Sequence, residues 1–284
     1  MMHGGNAMSL SPGGDRSKYR RFILPACIFV AALGVRMAYL RGMTSNPSFD
    51  VPIVDSSTYC DVGRRIAAGE LDPRLFWQSF FYPLFLALVF HAGGSILTAK
   101  IVQLVLGAFT AVITYRLGTE VFNEKTGIAA AAAVGLSGPL IFFEAEVLAR
   151  GWEAFWGVAV VLLLVLASRR GKAAYYLLAG VSGGMSFLTR ATFLPFFALA
   201  SAWLLYETWK KGAPITGKIA RTALLVAPLM ALVVTVASLS FRATGHFSAI
   251  PKSASINLYI GNNPDTGKTM AIRPGSEWRD LTRE

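Results

Sequence analysis

The sequence predicts an all-α polytopic membrane protein with about seven transmembrane helices and further juxtamembrane helices in the first external loop. A bilayer core about 30 Å thick requires roughly 20 apolar residues per spanning helix, and such stretches recur along the chain. Composition agrees, since 54% of the residues are hydrophobic, 15% are charged and mean hydropathy is +0.50, whereas soluble domains carry about 25% charged residues. The predicted spans are 22–40, 96–117, 127–143, 152–168, 173–189, 192–208 and 222–241.

The residues before the first span differ from it in composition. Residues 1–19 are rich in Gly and Ser and predict a disordered cytoplasmic tail. The stretch 22–40 is long for a signal peptide and has no small-residue cleavage site before Arg36. It therefore predicts a retained signal anchor, which opens a transmembrane domain over residues 20–241.

Residues 41–95 form the predicted external loop between the first two spans. Part of it, 55–69, indicates a helix lying on the membrane surface, because apolar side chains recur there at helical spacing. These are Tyr59, Val62, Gly63 and Ile66. The apolar run 80–90 is ambiguous, but runs of 10–14 residues are typical of interfacial or re-entrant segments. We place it at the outer surface; the alternative, an eighth span, would invert every later loop.

Basic residues predict the orientation of the chain. Lys and Arg in short loops favour the cytoplasmic side, and they concentrate in the N-terminal tail and in every second loop that follows. A cytoplasmic N-terminus is therefore expected, with the first loop and the C-terminal tail outside the membrane. The residues that carry this pattern are Arg16, Lys18, Arg20, Arg21, Arg116, Lys125, Arg169, Arg170, Lys172, Lys210, Lys211, Lys218 and Arg221.

The last segment, 242–284, is predicted to be an external loop. It leaves the final span and runs into the charged sequence EWRDLTRE, which does not close a domain. We therefore expect this loop to be truncated and the polypeptide to be the N-terminal part of a longer protein.

Several function classes are disfavoured by composition. The net charge of +11 comes largely from the loop residues that set orientation, and without a nucleic-acid-binding motif it indicates contact with lipid headgroups instead. Two cysteines exclude a disulfide framework, and no His/Cys spacing indicates zinc. The sequence GNNPDTGKT fails as a phosphate-binding loop, because five residues rather than four separate its glycines.

Several motifs, in this order, resemble those of polytopic GT-C glycosyltransferases. The first is Asp-x3-Tyr at 55–59, followed by RRIAAGE and FWQSFFYPLFLAL. QLVLGAFTAVITYRLGTEVF with TGIAAAAA resembles a pair of spans around a cytoplasmic turn. GPLIFFEAEVLARGWEAF, GGMSFLTRATFLPF and INLYIGNNPDTGK follow. The branch most similar is that of the protein O-mannosyltransferases and aminoarabinose transferases.

The resemblance implies transfer of a sugar from a polyprenyl-phosphate donor to an acceptor hydroxyl at the outer face of the bilayer, with inversion. The acceptor would be a protein, a glycolipid or a polysaccharide. In such enzymes an Asp of the first external loop acts as catalytic base or anchors the acceptor; Asp55 matches that position, and Asp50 is the alternative. From local pattern alone, Asp55 also fits a helix N-cap.

A second acidic group closes the third predicted span. Glu144 and Glu146 lie at its outer end, and carboxylates at a membrane edge indicate function. Either one could orient the acceptor, and Glu144 together with Asp55 could ligate Mg²⁺ or Mn²⁺. The structural alternative is an ion pair between Glu146 and Arg150 at i, i+4.

Arg190 interrupts an apolar run at a predicted external turn, where positive charge is not expected. It is either a snorkelling side chain or a phosphate contact, and Arg150 and Lys100 are further candidates for binding the lipid-phosphate donor. Asn262 and Asn263 lie in a turn that the resemblance places near substrate. The glycine pair at 183–184 favours close helix packing.

Two other function classes stay open. A secondary transporter would place charged groups near the middle of the membrane and use broken helices. A non-catalytic or incomplete lipid-binding protein is the third interpretation.

Overall fold

The computed structural model describes residues 13–46, 49–210, 212, 214–264 and 266, with residues 13–21 described by their backbone alone. The described part is all-helical and has no strand. Most of the predicted tail, at 1–12, and most of the predicted final loop, at 265 and 267–284, lie outside it. Four helices are long and apolar enough to cross a membrane, or five if one bent pair forms a single span. These helices indicate an integral membrane protein.

Eleven α-helices follow one another in the described part of the chain. A short 3-10 helix, Pro73–Phe76, lies between α2 and α3, and another, Ala191–Phe193, precedes α9. The α-helices are α1 Gly13–Met43, α2 Asp55–Ala67, α3 Phe81–His91, α4 Ile96–Val121, α5 Glu124–Gly135, α6 Gly138–Ala145, α7 Arg150–Arg170, α8 Ala173–Thr189, α9 Leu194–Lys210, α10 Ile215–Thr244 and α11 Ser253–Gly261.

All seven predicted spans are helical, but their lengths differ. The candidate spans are α1 (from Phe22), α4, α7 and α10, with α5 and α6 as the bent pair, broken by 49°. Pro139 in the first turn of α6 explains the break, since proline suits a helix start and not its interior. With 17 residues each, α8 and α9 are only about 26 Å long, so a count of seven spans is not confirmed.

Local sequence signals set several helix ends. Ser95 and Thr98 form a capping box at the start of α4, and the side chain of Asn123 caps α5. Glycine ends α7 and α10 in the left-handed conformation, at Gly171 and Gly245.

The long helices pack as an extended row. The order across it is α1, α4, α7, α8, α10, with α5 and α6 beside α1 and α4. Close contact between α8 and its neighbours depends on the predicted glycine pair, because a Cβ at Gly183 would overlap the Phe197 ring and one at Gly184 would lie 2.5 Å from Leu232. The spanning helices alternate in direction along the chain, with α5 and α6 taken as one, so the bundle has two distinct ends.

The first end, here called the basic end, holds the C-termini of α4, α7 and α9 and the N-termini of α5, α8 and α10. Glu120 of α4 accepts from Arg170 of α7 at 3.1 Å. Nearby, the Arg221 guanidinium lies 5.7 Å from the centre of the Tyr176 ring. The opposite end, here called the loop end, carries residues 44–95 and the turn 146–149.

At the loop end, α2 and α3 form a packed pair. The buried face of α2 comprises Tyr59, Val62 and Gly63, as the spacing predicts, and Ile66 is partly buried. Gly63 lets α3 approach closely, because its Cβ would lie 2.9 Å from Leu86. Helix α3 has 11 residues, about 17 Å, and is not among the helices long enough to cross a membrane.

Residues 68–80 connect this pair through the first 3-10 helix. Asp72 accepts from the backbone and guanidinium of Arg74, which lowers the pKa of the Asp72 carboxyl. Farther on, the carbonyls of Phe76 and Trp77 accept from the backbone N–H groups of Lys252 and Ser253, both at 3.0 Å. The segment after α10 is thus tied to the loop end.

Candidate functional site

A cavity of about 290 Å³ opens at the loop end, between residues 43–46 and 49–56, the first turns of α4 and the end of α6. Its wall is mixed, with the rings of Phe49 and Phe142 beside the polar side chains of Ser56, Lys100 and Glu146. Two of the predicted site residues, Lys100 and Glu146, are therefore brought to one cavity. The predicted base, Asp55, is next to the cavity residue Ser56 in the chain.

Lys100 is a buried cation in this wall. Its exposed fraction is 2%, and its Nζ donates to the Phe49 carbonyl at 2.8 Å and lies 4.0 Å from the centre of the Phe49 ring. The charges of Glu146 and Asp50 act on it from nearby. An ammonium group has three donors, and Phe49 O is the one acceptor recorded for Nζ within the described ranges.

Glu146 follows the last residue of α6 in an extended conformation. Gln103 of α4 holds this turn, because its Nε2 donates to the carbonyls of Glu144 at 2.8 Å and Glu146 at 2.7 Å. The predicted i, i+4 pair between Glu146 and Arg150 is wrong, since α6 ends before Glu146 and Arg150 begins a new helix. Glu146 instead lines the cavity.

Glu144 has a partner that sequence reasoning missed. The Arg36 guanidinium of α1 donates to Glu144 Oε2 at 2.6 Å and to Oε1 at 3.2 Å, and both side chains are almost wholly buried. As a ligand for Mg²⁺ or Mn²⁺ beside Asp55, Glu144 does not fit, because a cation would have to displace this guanidinium. No group of three or more His, Cys, Asp or Glu suited to a metal occurs in the described part of the chain.

Arg36 also donates to the Gly135 carbonyl at 2.9 Å. That carbonyl lies at the end of α5, where the break in the helix removes its usual partner. A single guanidinium therefore neutralises a carboxylate and satisfies a broken helix. The signal for this contact was an Arg inside an apolar run, since an arginine within a membrane helix requires a partner.

Asp55 is exposed at the first position of α2. The predicted N-cap is wrong: Val54 occupies the cap position, and no side chain makes a capping hydrogen bond. Instead, Asp55 Oδ1 accepts from Gln78 Nε2 at 2.9 Å. Val54 has a φ of 52°, a strained value for a β-branched residue, so the chain turns sharply just before Asp55.

Arg150 and Arg190 meet at one carboxylate. Glu153 Oε2 accepts from the guanidinium of Arg150 and from that of Arg190, both at 3.1 Å. All three side chains are partly exposed, so each arginine keeps donors that face solvent. Glu153 was absent from the predicted site, although it lies one helical turn after Arg150.

Tyr59 connects Asp55 with this arginine pair. Burial, followed by the charges of Asp55 and Glu153, raises the pKa of the Tyr59 hydroxyl, and Arg150 acts in the opposite direction. The predicted base, Asp55, and one predicted phosphate contact, Arg150, are therefore both within electrostatic reach of one buried tyrosine.

An aromatic wall lies between these groups. The Phe81 and Trp152 ring centres are 4.8 Å apart, those of Phe85 and Trp152 4.9 Å, and those of Tyr59 and Tyr82 5.1 Å. These ring contacts place α3 against the start of α7.

Asn262 and Asn263 lie elsewhere and bond locally. Their Nδ2 atoms donate to the carbonyls of Leu258 at 2.9 Å and Tyr259 at 2.7 Å, which finishes α11. Nothing in the described contacts brings them to the cavity. Comparisons with protein-family models, with curated proteins and with solved structures find no match for this chain.

Proposed function

We propose that the chain is a membrane glycosyltransferase that moves a sugar from a polyprenyl-phosphate donor to an acceptor hydroxyl at the outer face of a bacterial inner or plasma membrane. The observation that carries the proposal is the meeting of Arg150 and Arg190 at Glu153, where each arginine keeps exposed donors, with the exposed Asp55 carboxylate within electrostatic reach of the same Tyr59 as Glu153 and Arg150. Acid–base chemistry and phosphate binding need these two kinds of group. The motif resemblance supplies the donor and acceptor classes.

The proposal includes seven spans and a cytoplasmic N-terminus. Helices α8 and α9 are then two further spans. They are shorter than the usual bilayer core, and local thinning of the bilayer accommodates the difference. The basic end faces the cytoplasm, in keeping with the positive-inside rule. The loop end, with the site, faces outward.

The reaction is an in-line displacement at the anomeric carbon. The acceptor oxygen forms a bond to this carbon while the bond from carbon to the phosphate oxygen breaks, which inverts the centre. Asp55 takes the proton of the acceptor hydroxyl. The polyprenyl phosphate departs with the bonding electron pair, and Arg150 and Arg190 stabilise its charge through donors not used by Glu153.

The cavity beside Asp55 is assigned to the substrate. Glu146 accepts hydrogen bonds from sugar or acceptor hydroxyls, and Lys100, which lines the same cavity, contributes donors. A mixed wall of aromatic and polar groups is typical of a small-ligand site. Mg²⁺ or Mn²⁺ enters no step.

The test compares sugar transfer by the wild type with that by Asp55→Asn. Purified proteins in lipid are given a panel of radiolabelled polyprenyl-phosphate sugars with acceptor candidates. General bases contribute about 10²–10⁴-fold to rate, so we expect a loss in that range. Asp61→Asn is the matched control, because Asp61 is an exposed carboxylate of the same helix whose recorded ion pair is with Arg64. Equal rates for Asp55→Asn and wild type would refute the role of Asp55.

A secondary transporter is the second candidate, and one observation favours it. The bent pair α5–α6 is a broken span with a buried ion pair at its break, an arrangement that transporters use at substrate sites. Uptake of labelled sugars or amino acids into sealed proteoliposomes tests it. Flux without any sugar transfer would replace the glycosyltransferase proposal.

A further inference from the structure

A second cavity lies at the basic end, on the opposite side of the bundle from Asp55. It is a groove of about 500 Å³ between the end of α9 and the first turns of α10. Ile215, Ile219, Val226 and Trp209 give it an apolar wall. Its size falls within the range of about 300–1,000 Å³ typical of small-ligand sites.

The groove follows from how α10 packs. Gly180 lets α8 approach α10 so closely that a Cβ there would overlap the carbonyl of Leu225. Small residues of α10 that line the groove, Ala223 and Ala227, leave space beside α9. The hydroxyl of Thr222 bonds to the Lys218 carbonyl at 2.9 Å, so the floor of the groove offers no free polar group there.

Cations border the groove. The Lys218 Nζ lies 5.3 Å from the centre of the Trp209 ring. Within the described ranges no ion pair joins a carboxylate to Lys218, Lys210 or Arg221. At the same end, Arg170 is paired with Glu120. In the described part of the chain, the cations at the groove therefore lack the direct ion pair that Arg170 has.

We propose that this groove binds an anionic phospholipid, with an acyl chain along Ile215, Ile219 and Val226 and the headgroup phosphate against Lys218 and Lys210. Trp209 marks the level of the headgroups, where tryptophan is enriched in membrane proteins. Basic pockets between spanning helices bind anionic headgroups in this manner. The groove is exposed, since Ile215 and Trp209 keep more than half of their surface, so a lipid can enter from the bilayer.

The test measures lipid retention by native mass spectrometry of the whole protein in detergent. The probes are phosphatidylglycerol and phosphatidylcholine of the same acyl chains. We expect wild type to retain phosphatidylglycerol in preference and Lys218→Ala to weaken that binding about fivefold, the contribution of one basic residue at an anionic surface. Lys125→Ala is the control, because Lys125 is exposed at the same end on α5.

A second variant, Ala223→Phe, fills the groove and leaves charge unchanged. It should reduce bound phosphatidylglycerol even though every cation is present. The proposal would be overturned if wild type retained the two lipids equally, or if Lys125→Ala weakened phosphatidylglycerol binding as much as Lys218→Ala does. It would also be overturned if Ala223→Phe retained as much phosphatidylglycerol as wild type. A lipid-free dimer of the wild type that Ala223→Phe converts to a monomer would also overturn the proposal, because the groove would then hold a second copy of this chain. The proposal does not rest on the chemistry at Asp55.

Discussion

At the scale of single residues, Arg36 and Glu144 are the charges most tightly enclosed by protein. Transfer of either ion out of water costs several kcal/mol, and a buried pair offsets that cost only when its remaining donors and acceptors are satisfied. The carbonyls of Gly135 and Ala32 supply such partners. The pair is therefore stable as a unit and unstable if one member is removed.

Arg36→Ala should lower the free energy of unfolding by about 3–5 kcal/mol, because it leaves an uncompensated buried carboxylate. Thermal unfolding in detergent measures the loss. A double variant, Arg36→Leu with Glu144→Leu, should recover most of it, since apolar residues often replace a buried pair at little cost. Asp61→Ala serves as control: its pair with Arg64 is exposed and contributes less than about 1 kcal/mol. A double variant as unstable as the single one would contradict this account.

At the scale of elements, the contact between α4 and α6 depends on a glycine of α4, Gly107, which has no side chain. A Cβ at Gly107 would overlap the Glu144 carboxylate. Helix α6 can therefore approach α4 this closely at position 107 only because that residue is glycine. The same contact brings Gln103 to the carbonyls of Glu144 and Glu146 and so sets the wall of the loop-end cavity.

Gly107→Ala should therefore destabilise the protein by about 1–3 kcal/mol through overpacking. Gly34→Ala is a matched control, because Gly34 is also inside a long helix but a Cβ there meets nothing within 4 Å. Alanine favours a helix interior over glycine by roughly 0.5–1 kcal/mol, so this variant should be neutral or stabilising. Denaturation curves of the two variants should shift in opposite directions; a parallel shift would argue against the close contact.

At the scale of the whole molecule, the two ends of the bundle differ in charge and in covering. The basic end is formed by short turns, whereas the loop end carries the packed pair α2–α3 and the strap of residues after α10. This asymmetry gives the proposed orientation a direct test.

Single cysteines placed at the two ends should react differently in intact cells. In a Cys27→Ser, Cys60→Ser background, Glu70→Cys at the loop end should be labelled by a membrane-impermeant maleimide, and Lys125→Cys at the basic end should be labelled only after permeabilisation. Both positions are exposed, so access to the reagent decides the result. The reverse pattern would invert the orientation and remove the outward-facing site.

Sequence patterns predicted the helices well, because hydrophobic runs and caps are local signals. Helix α2 and the residues of its apolar face were predicted from spacing alone, whereas the packing of that face against α3 was not. Contacts between residues that are far apart in the sequence were not predicted. Arg36 and Glu144 are 108 residues apart, and Arg190 lies 37 residues after Glu153, to which it donates.

The backbone bonds from Lys252 and Ser253 to the 3-10 helix have a consequence for biosynthesis. The ribosome makes the donors about 175 residues after the acceptors, which is roughly ten to thirty-five seconds at usual elongation rates. During that interval the carbonyls of Phe76 and Trp77 lack these partners. Closure of the loop end is therefore a late event, completed only after α10 has been synthesised.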